Sequence, residues 1–396
     1  MTVEEKRPTK LLNCQYVLFS IINLVVSVSF SMVSTTMTKY AYSIGTTVAM
    51  AGAITGAFSI ASMVIRPFSG LVSDRMNRKM LLVVSTFAMG VCTFLYGLVS
   101  DTTMLFIIRI LHGVAFGISS TVNMALIPGF SPKERVGEAV SYFGLGQALA
   151  IVVGPSLGLA LADSAGFPIN FTVSALIVAV GGVIALVMDF QGNDRPLSIG
   201  NKRGIRWGDI IATESLLYAG INIAISATSG VENSLIALYG TAMGVENIGW
   251  YFTLSAVTLC ISRLAFGKMA DRQGVATAMY LGTGLMIVGF LLLWRPPAIW
   301  MFAVSAVIKT VGSGIVRPAL QAECIKTVTP DRRGAASSTF YIGSDVGQGV
   351  SPWLAGQVVD SSGGDYGLAF GVFAIPMALS CILFAYSTRR KNRKAA

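Results

Sequence analysis

The sequence predicts an all-α integral membrane protein with twelve transmembrane helices in two pseudo-symmetric six-helix bundles. Hydrophobic residues make up 54% of the chain and charged residues only 12%, whereas a soluble domain carries about 25% charged residues. A spanning helix needs about 20 mostly apolar residues, and one twelfth of the chain, roughly 33 residues, holds such a helix and a short loop. The 42 Gly and 13 Pro also fit, because both are commoner in membrane helices than in soluble ones.

Twelve mostly apolar segments alternate with short polar connections. The first is too long for a signal-peptide core and lacks a small-residue cleavage site, so we interpret it as the first helix. The predicted spans are 15–38, 47–71, 79–99, 103–126, 138–162, 168–189, 209–238, 247–267, 276–294, 298–322, 335–359 and 366–387.

Positive charge is distributed unevenly between the two sides of this arrangement. The segments on the side of both termini hold 22 of the 29 Lys and Arg residues, and the opposite loops hold only Lys39 and Arg295. The positive-inside rule therefore predicts that both termini are cytoplasmic in a multi-pass protein of the inner or plasma membrane. The net charge of +10 then faces anionic lipid, and we expect no nucleic-acid partner.

An internal repeat organises the chain. Adding 197 to the numbering of the first half maps Arg66, Gly70, Asp74 and Arg75 onto Arg263, Gly267, Asp271 and Arg272. Two parallel halves are the simplest interpretation, with a substrate site near mid-membrane between them. The predicted parts are a cytoplasmic N-terminus 1–14, a six-helix bundle 15–189, a cytoplasmic linker 190–208, a second bundle 209–387 and a basic tail 388–396.

The segment Gly70-Leu71-Val72-Ser73-Asp74-Arg75-Met76-Asn77-Arg78-Lys79 resembles motif A of the major facilitator superfamily, and a degenerate copy begins at Gly267. The resemblance extends over nearly the whole chain and implies that family's fold, with a monomer as the default state. Asn77 stands where the family has Gly, and Asn tolerates the left-handed turn expected there.

The resemblance implies that this loop is a conformational latch. Asp74 could approach the positive N-terminus of helix 11, and Arg75, Arg78 and Lys79 could meet Glu134 or Glu138. The alternative is a solvated turn that only enforces topology. The predicted latch residues are Gly70, Asp74, Arg75, Arg78, Lys79, Gly267, Asp271, Arg272 and Glu138.

Polar residues follow one face of several predicted helices at helical spacing. Helices 1, 4, 7 and 10 line the central cavity in the family that the chain resembles. Ionisable residues inside spans are functional candidates. The predicted substrate or proton pathway comprises Asn23, Arg109, His112, Asn123, Asn222, Glu232, Lys309, Arg317, Asp345 and Gln348.

Charged members of this set suggest a proton-linked role. Arg109 resembles the Arg of motif B, and His112 replaces the family's common Gln. The hypothesis assigns the proton-linked role to Asp345, Glu232 and His112, with Arg109 as the charge partner, because burial raises a carboxyl pKa and imidazole titrates near neutrality. The alternatives are a neutral packed His112 and a Glu232 that lies in water at a helix end. Lys309 and Arg317 are partners for the acids or docking points for an anionic substrate.

The fifth helix indicates a direction of transport. Gly146, Gly154, Pro155 and Gly158 resemble motif C, which is typical of the proton-driven drug exporters of the superfamily. The match is partial, since Ala150 and Leu159 stand where glycines are expected. The alternative is that these residues only pack the helix.

No phosphate-binding loop, metal cluster or nucleophile motif occurs in the sequence, and its five cysteines are scattered. We therefore expect neither an enzyme nor a cofactor. The predicted function is secondary transport by alternating access, with proton-coupled efflux of small organic molecules. One alternative is a proton-coupled symporter that imports a small organic anion, and a more distant one is a non-transporting membrane sensor or scaffold.

Overall fold

The computed structural model describes residues 11–132, 135–190, 211–245, 248–266, 269, 273–295, 298–329 and 332–395, without the side chains of 71, 74, 75, 136, 137, 140, 141, 145, 148, 264, 334 and 389–395. Of the predicted latch, Gly267, Asp271 and Arg272 lie outside these residues. Asp74 and Arg75 are described by their backbone alone. Most of the predicted linker also lies outside the described residues.

Twelve α-helices follow one another along the described residues. Short 3-10 turns at Ile127–Phe130 and Thr213–Ser215 adjoin the fourth and seventh helices. This order confirms the predicted all-α class with twelve helices. The helices are α1 Cys14–Ser43, α2 Val48–Arg75, α3 Arg78–Tyr96, α4 Thr102–Leu126, α5 Val136–Ala165, α6 Phe167–Val187, α7 Leu216–Ala242, α8 Trp250–Phe266, α9 Val275–Trp294, α10 Trp300–Lys326, α11 Arg333–Ser361 and α12 Tyr366–Ala395.

Nine of the twelve described helices are long and apolar enough to cross a membrane by themselves. The other three are α7, α8 and α11. Helix α8 has only 17 residues, and α7 and α11 carry polar side chains such as Glu232 and Asp345 that lower their mean hydropathy. Helices of this kind lie in a membrane when their polar faces are turned to the interior of a bundle.

Side-chain caps set the start of α3 and α4. Asn77 Oδ1 accepts a hydrogen bond from the Met80 N–H at 2.9 Å, and Asp101 Oδ1 accepts one from the Met104 N–H at 2.8 Å. Asn77 has φ −63°, so the expectation of a left-handed turn at this residue was wrong. The physical reason for Asn here is its use as an N-cap, which satisfies a backbone N–H that has no partner in the helix.

The chain divides into two compact units. Unit 1 comprises Met1–Tyr40 and Ile60–Lys202, and unit 2 comprises Ala41–Ser59 and Arg203–Ala396. The boundary between Lys202 and Arg203 falls inside the predicted linker. The segment Ala41–Ser59 places the N-terminal turns of α2 with unit 2, so the two units are not simply the first and second six helices.

Within unit 1, α5 packs closely on α1 through its glycines. A Cβ atom at Gly154 would lie 2.5 Å from the Cβ of Ser31, and one at Gly158 would lie 2.8 Å from the Met32 carbonyl oxygen. Pro155 lies between them and α5 continues through it. The residues that resemble motif C therefore hold two helix backbones at a distance that larger side chains forbid.

Within unit 2, α11 packs on α7 in the same way. A Cβ at Gly343 would lie 2.5 Å from the Ala219 carbonyl oxygen, and Ser351 Oγ donates to the Ala227 carbonyl at 2.9 Å. The repeat offset of 197 relates Gly146 to Gly343 and Pro155 to Pro352. In each half, a face of small residues therefore joins the corresponding pair of helices, α5 with α1 and α11 with α7.

The beginning of α2 is capped from α11, also within unit 2. The Asp360 carboxylate accepts hydrogen bonds from the Val48 N–H at 3.1 Å and the Ala49 N–H at 2.9 Å. These groups belong to the first turn of a 28-residue helix, where a negative charge is favourable. A Cβ at Gly356 would meet the Ala49 backbone, so the cap depends on close approach of the two helices.

Candidate functional site

A buried ion pair lies between two helices of unit 2. Lys309 on α10 donates from Nζ to Glu232 Oε2 on α7 at 2.5 Å and also contacts Oε1. Tyr251 on α8 donates from its hydroxyl to Oε1 at 2.5 Å. Glu232 is 5% exposed, Lys309 9% and Tyr251 0%. Three helices therefore contribute one polar group each to a single shielded cluster.

Each carboxylate oxygen of Glu232 accepts a hydrogen bond in this arrangement. One oxygen accepts from the phenol, and the other accepts from the ammonium group. The ammonium group also lies 5.6 Å from the centre of the Tyr251 ring, which its charge favours. Loss of one member of a buried ion pair typically costs about 3–5 kcal/mol, because the other charge remains without compensation. Protonation of Glu232 would therefore leave the buried charge of Lys309 without compensation.

Close helix packing fixes the position of Lys309. A Cβ at Gly289 on α9 would lie 2.5 Å from Lys309 Cβ, so only glycine allows α9 to reach α10 at this level. One turn before Lys309, Ser305 Oγ donates to the Gly289 carbonyl at 2.7 Å. The α9–α10 pair therefore holds the backbone of Lys309 while its side chain reaches Glu232.

Arg317 lies two turns further along α10, on the same side of the helix as Lys309. Its Nη2 donates to Ser229 Oγ on α7 at 2.7 Å, and Ser229 is three residues before Glu232. Among the described residues, Glu232 attracts its guanidinium and Arg263 on α8 repels it. Positive charge therefore exceeds negative charge among the described groups around Arg317.

In unit 1, the predicted polar face of α4 is buried. Arg109 and His112 are each 1% exposed, and His112 Nδ1 is hydrogen-bonded to the Tyr96 hydroxyl on α3 at 3.0 Å. The guanidinium carbon of Arg109 lies 6.0 Å from the centre of the same Tyr96 ring. Asn123, further along the same helix, is also buried. A protonated imidazole here would add a second positive charge beside Arg109 in a shielded place.

Three of the four predicted amides have defined partners on neighbouring backbones or on their own helix, whereas the buried Oδ1 of Asn123 has no hydrogen-bond donor among the described residues. Asn23 Nδ2 donates to the Phe143 carbonyl and Asn222 Nδ2 to the Phe340 carbonyl, both at 2.9 Å. Gln348 Nε2 donates to Ser344 Oγ on its own helix at 3.1 Å. Asp345, also on α11, is half-buried. These contacts favour a structural role for Asn23 and Asn222 over the predicted contact with substrate.

The described latch residues make several local contacts. Arg78 Nε donates to the Ser73 carbonyl at 3.2 Å and Lys79 Nζ to the Met188 carbonyl at 2.8 Å. Glu138 accepts two hydrogen bonds from Arg135, both at 2.7 Å. A Cβ at Gly70 would meet no described atom within 4 Å. The predicted contact of Lys79 or Arg78 with Glu138 is therefore not among these bonds, and the latch remains a prediction.

The sequence argument missed Tyr251, Tyr96 and Gly343 on α11. A tyrosine in an apolar span gives no signal by itself, since most such rings only pack. Gly343 had a usable signal, because it lies 197 residues after Gly146. Tyr96 was missed for the same reason as Tyr251, although it is the hydrogen-bond partner of His112.

Comparison with known proteins agrees with this architecture. The profile of the Major Facilitator Superfamily matches residues 19–246 and residues 215–396. An uncharacterised MFS-type transporter of Methanocaldococcus jannaschii is 26% identical over 338 residues, which are 83% of this chain and 86% of that relative. The multidrug resistance protein MdtG of Proteus mirabilis is 25% identical over 327 residues, which are 78% of this chain and 79% of MdtG.

Solved structures share the fold. The nucleoside transporter NupG superimposes with a TM-score of 0.75 at 14% identity, over 94% of this chain and 99% of NupG. The human organic anion transporter MFSD10 superimposes with a TM-score of 0.64 at 15% identity, over 93% of this chain and 98% of MFSD10. Because the profile matches extend from residue 19 to residue 396 over twelve helices of this fold, the chain belongs to the Major Facilitator Superfamily of membrane transporters.

Proposed function

We propose that this chain is a proton-coupled secondary transporter that exports small organic molecules by alternating access. Membership of the superfamily supports transport as such. The observation that carries the proton coupling is the buried pair of Glu232 and Lys309, completed by the Tyr251 hydroxyl. Ionisable groups within spanning helices are costly, and those that remain are usually part of an ion or substrate pathway.

The coupling step follows from the charges of this cluster. When a proton adds to a carboxylate oxygen of Glu232, the ion pair is lost and Lys309 becomes a buried cation without a counter-charge. A penalty of about 4 kcal/mol shifts an equilibrium between two conformations by roughly 10³-fold. The protonated carrier therefore favours an arrangement in which α7 and α10 expose Lys309. Loss of the proton restores the pair and the first arrangement.

Export as the direction is supported by two observations. The glycines and Pro155 of α5, which resemble motif C, pack directly on α1. The chain is also similar over most of its length to MdtG, a multidrug resistance protein. Both observations are typical of exporters, in which an inward proton gradient drives an outward substrate.

Other predicted proton carriers rank below Glu232. His112 is hydrogen-bonded to Tyr96 and lies beside the positive charge of Arg109, which disfavours a charged imidazole. Asp345 is half-buried on α11 and remains the second candidate. We further propose a monomer in the cell membrane with both termini cytoplasmic, since the basic residues lie overwhelmingly on that side of the predicted topology.

The test uses purified protein in liposomes that contain a pH-sensitive dye and have an acidic lumen. Cationic drugs, sugars, amino acids and organic acids are added in turn. An exporter that exchanges substrate for protons discharges the gradient with at least one of them, and Glu232→Gln abolishes the discharge. Glu323→Gln is the matched control. Glu323 also lies on a helix and pairs with a lysine, Lys326, at 2.9 Å, but this pair is exposed.

Three other outcomes have defined meanings. Uptake of a labelled anion together with protons would favour the symporter, an alternative that the excess positive charge around Arg317 supports. Absence of substrate-dependent flux for every class, with folded protein, would leave the non-transporting sensor or scaffold. Full proton exchange by the variants Glu232→Gln, Asp345→Asn and His112→Ala alike would refute the proton-linked role of these residues.

A further inference from the structure

Arg317 is a cation without an acidic partner among the described residues. Its Nη2 donates to the neutral hydroxyl of Ser229. Its Nε is shielded from solvent and has no hydrogen-bond acceptor in the described part of the chain. A guanidinium group presents five N–H donors in a fixed fork. Most of that donor capacity is therefore unused by the protein groups described around it.

The nearest attracting acid does not neutralise Arg317. Glu232 attracts its guanidinium, but both oxygens of Glu232 are already bound by Lys309 and Tyr251. Arg263 adds a second positive charge that repels Arg317. With Lys309 balanced by Glu232, the positive charge of the two guanidinium groups on α8 and α10 exceeds the negative charge described around them. A partly buried charge without compensation is unfavourable, and an anionic ligand removes that cost.

The side chain of Arg317 is also held in place before any ligand arrives. The bond to Ser229 joins α10 to α7, and the residue is half-buried, so part of it is open to a small molecule. Arginine fixed in this way binds planar anions with two parallel hydrogen bonds, which gives both affinity and orientation. Arg317 on α10 lies beside α7, and an ionisable residue within membrane helices is a candidate for the substrate pathway.

We propose that Arg317, positioned by Ser229 and supported by the charge of Arg263, binds the carboxylate, sulfonate or phosphate group of a small organic anion, which is the transported substrate. The proposal rests on the chain being a transporter, as proposed above, but not on the direction of transport. Lys309 is excluded as the main docking point while Glu232 is ionised, because its charge is already balanced.

The test measures binding to the full chain in a neutral detergent, without a pH gradient and without anionic lipid. The probes are benzoate, nicotinate and lactate, each paired with its uncharged amide, and the readout is the thermal unfolding temperature at rising probe concentration. At least one carboxylate is expected to raise that temperature while its amide does not. Arg317→Met should weaken that binding by at least about 100-fold and Ser229→Ala by about 5-fold.

Gln321→Ala is the control variant, because Gln321 lies one turn further along α10 and bonds to Tyr341, away from Arg317. It should bind the same carboxylate as the wild type does. Arg317→Lys keeps the charge and should recover part of the affinity, which separates binding from misfolding.

The proposal is overturned if no carboxylate stabilises the wild type more than its amide, or if Arg317→Met binds as the wild type does. Binding that appears only when anionic lipid is absent, and that phosphatidylglycerol in mixed micelles abolishes, would mean that a lipid headgroup occupies Arg317 instead. Failure of the liposome experiment with intact carboxylate binding would refute the proton exchange and leave the anion site standing.

Discussion

Asn222 on α7 donates a hydrogen bond from its side-chain Nδ2 to the main-chain carbonyl of Phe340 on α11 at 2.9 Å. Unit 1 repeats the contact between Asn23 on α1 and the Phe143 carbonyl on α5 at the same distance. A helical carbonyl has a second lone pair beyond its helix bond, and each asparagine uses it. The contact therefore joins the two helices that the glycine faces bring together in each unit.

Asn222→Ala should lower the stability of the protein without a change in carboxylate binding. Interhelical hydrogen bonds in membrane proteins contribute about 0.6 kcal/mol on average and at most about 1.7 kcal/mol. Thermal unfolding in detergent checks the loss. Gln348→Ala is the control, because Gln348 bonds within its own helix. An Asn222→Ala protein that keeps full stability but loses binding would mean that the amide contacts substrate.

Glu232→Gln should lower the free energy of unfolding by about 3–5 kcal/mol, because Lys309 is left as a buried, unpaired charge. The double variant Glu232→Gln with Lys309→Met should recover most of that loss, since both charges are then absent. Denaturation in mixed micelles for the wild type, the two single variants and the double variant measures the coupling. Additive losses would show that the two side chains do not form the pair.

Gly154→Ala should destabilise α5 against α1. The added methyl group would lie 2.5 Å from Ser31 Cβ, so the helices must separate, at a typical cost of about 1–3 kcal/mol for overpacking. Gly144→Ala on the same helix is the matched control, because no atom of the described residues lies within 4 Å of a Cβ there. It should be neutral or stabilising by helix propensity. Equal thermal stability of the two variants would contradict the close packing.

Asp360→Ala should weaken the start of α2, because the N–H groups of Val48 and Ala49 lose their acceptor. Loss of such a cap costs about 0.5–2 kcal/mol. Asp360→Asn keeps one of the two acceptor oxygens and loses the other together with the charge, so its loss should be smaller than that of Asp360→Ala. Hydrogen exchange of the first turn of α2, compared among the three proteins, distinguishes the cap from a general loss of stability.

Glu214, at the start of α7, should make a pH-dependent contribution to the free energy of unfolding. Its pKa lies below the ordinary value because its own backbone N–H and the Arg332 guanidinium hydrogen-bond to the carboxylate, the latter at 2.6 Å. A lowered folded-state pKa stabilises the fold above the ordinary pKa, and the contribution disappears as the pH falls through the lowered value. Glu214→Gln should therefore be less stable than the wild type near neutral pH, and the two should converge as the pH falls below the lowered pKa of Glu214. A pH-independent difference would rule out the ionised pair.

Much of the fold follows from local properties of the sequence. Apolar length, the sparse charge and the offset of 197 were enough to predict twelve helices in two related halves. Asp74 to Lys79 and Gly154 to Gly158 were enough to predict the family. These signals are readable because hydropathy and turn residues depend on neighbouring residues, and a repeat requires only that the two halves be compared along the chain.

The partners of the candidate site could not be predicted in the same way. The sequence showed that Glu232 and Lys309 lie on polar faces, but they are 77 residues apart, and their pairing depends on how α7 and α10 are rotated about their axes. Tyr251 joins them only because α8 packs beside both. Asn23 and Asn222 lie on polar helix faces, as Arg317 does, yet their side chains bond to the backbones of neighbouring helices.

The sequence by itself therefore determined that this protein is a twelve-helix membrane protein of a transporter family and which side chains are candidates. The tertiary structure decided which candidates pair: Glu232 with Lys309 and Tyr251, His112 with Tyr96, and Arg317 with a neutral serine. The physical reason is that hydrophobic length acts locally along the chain, whereas compensation of a buried charge depends on groups that only helix packing brings within hydrogen-bonding distance.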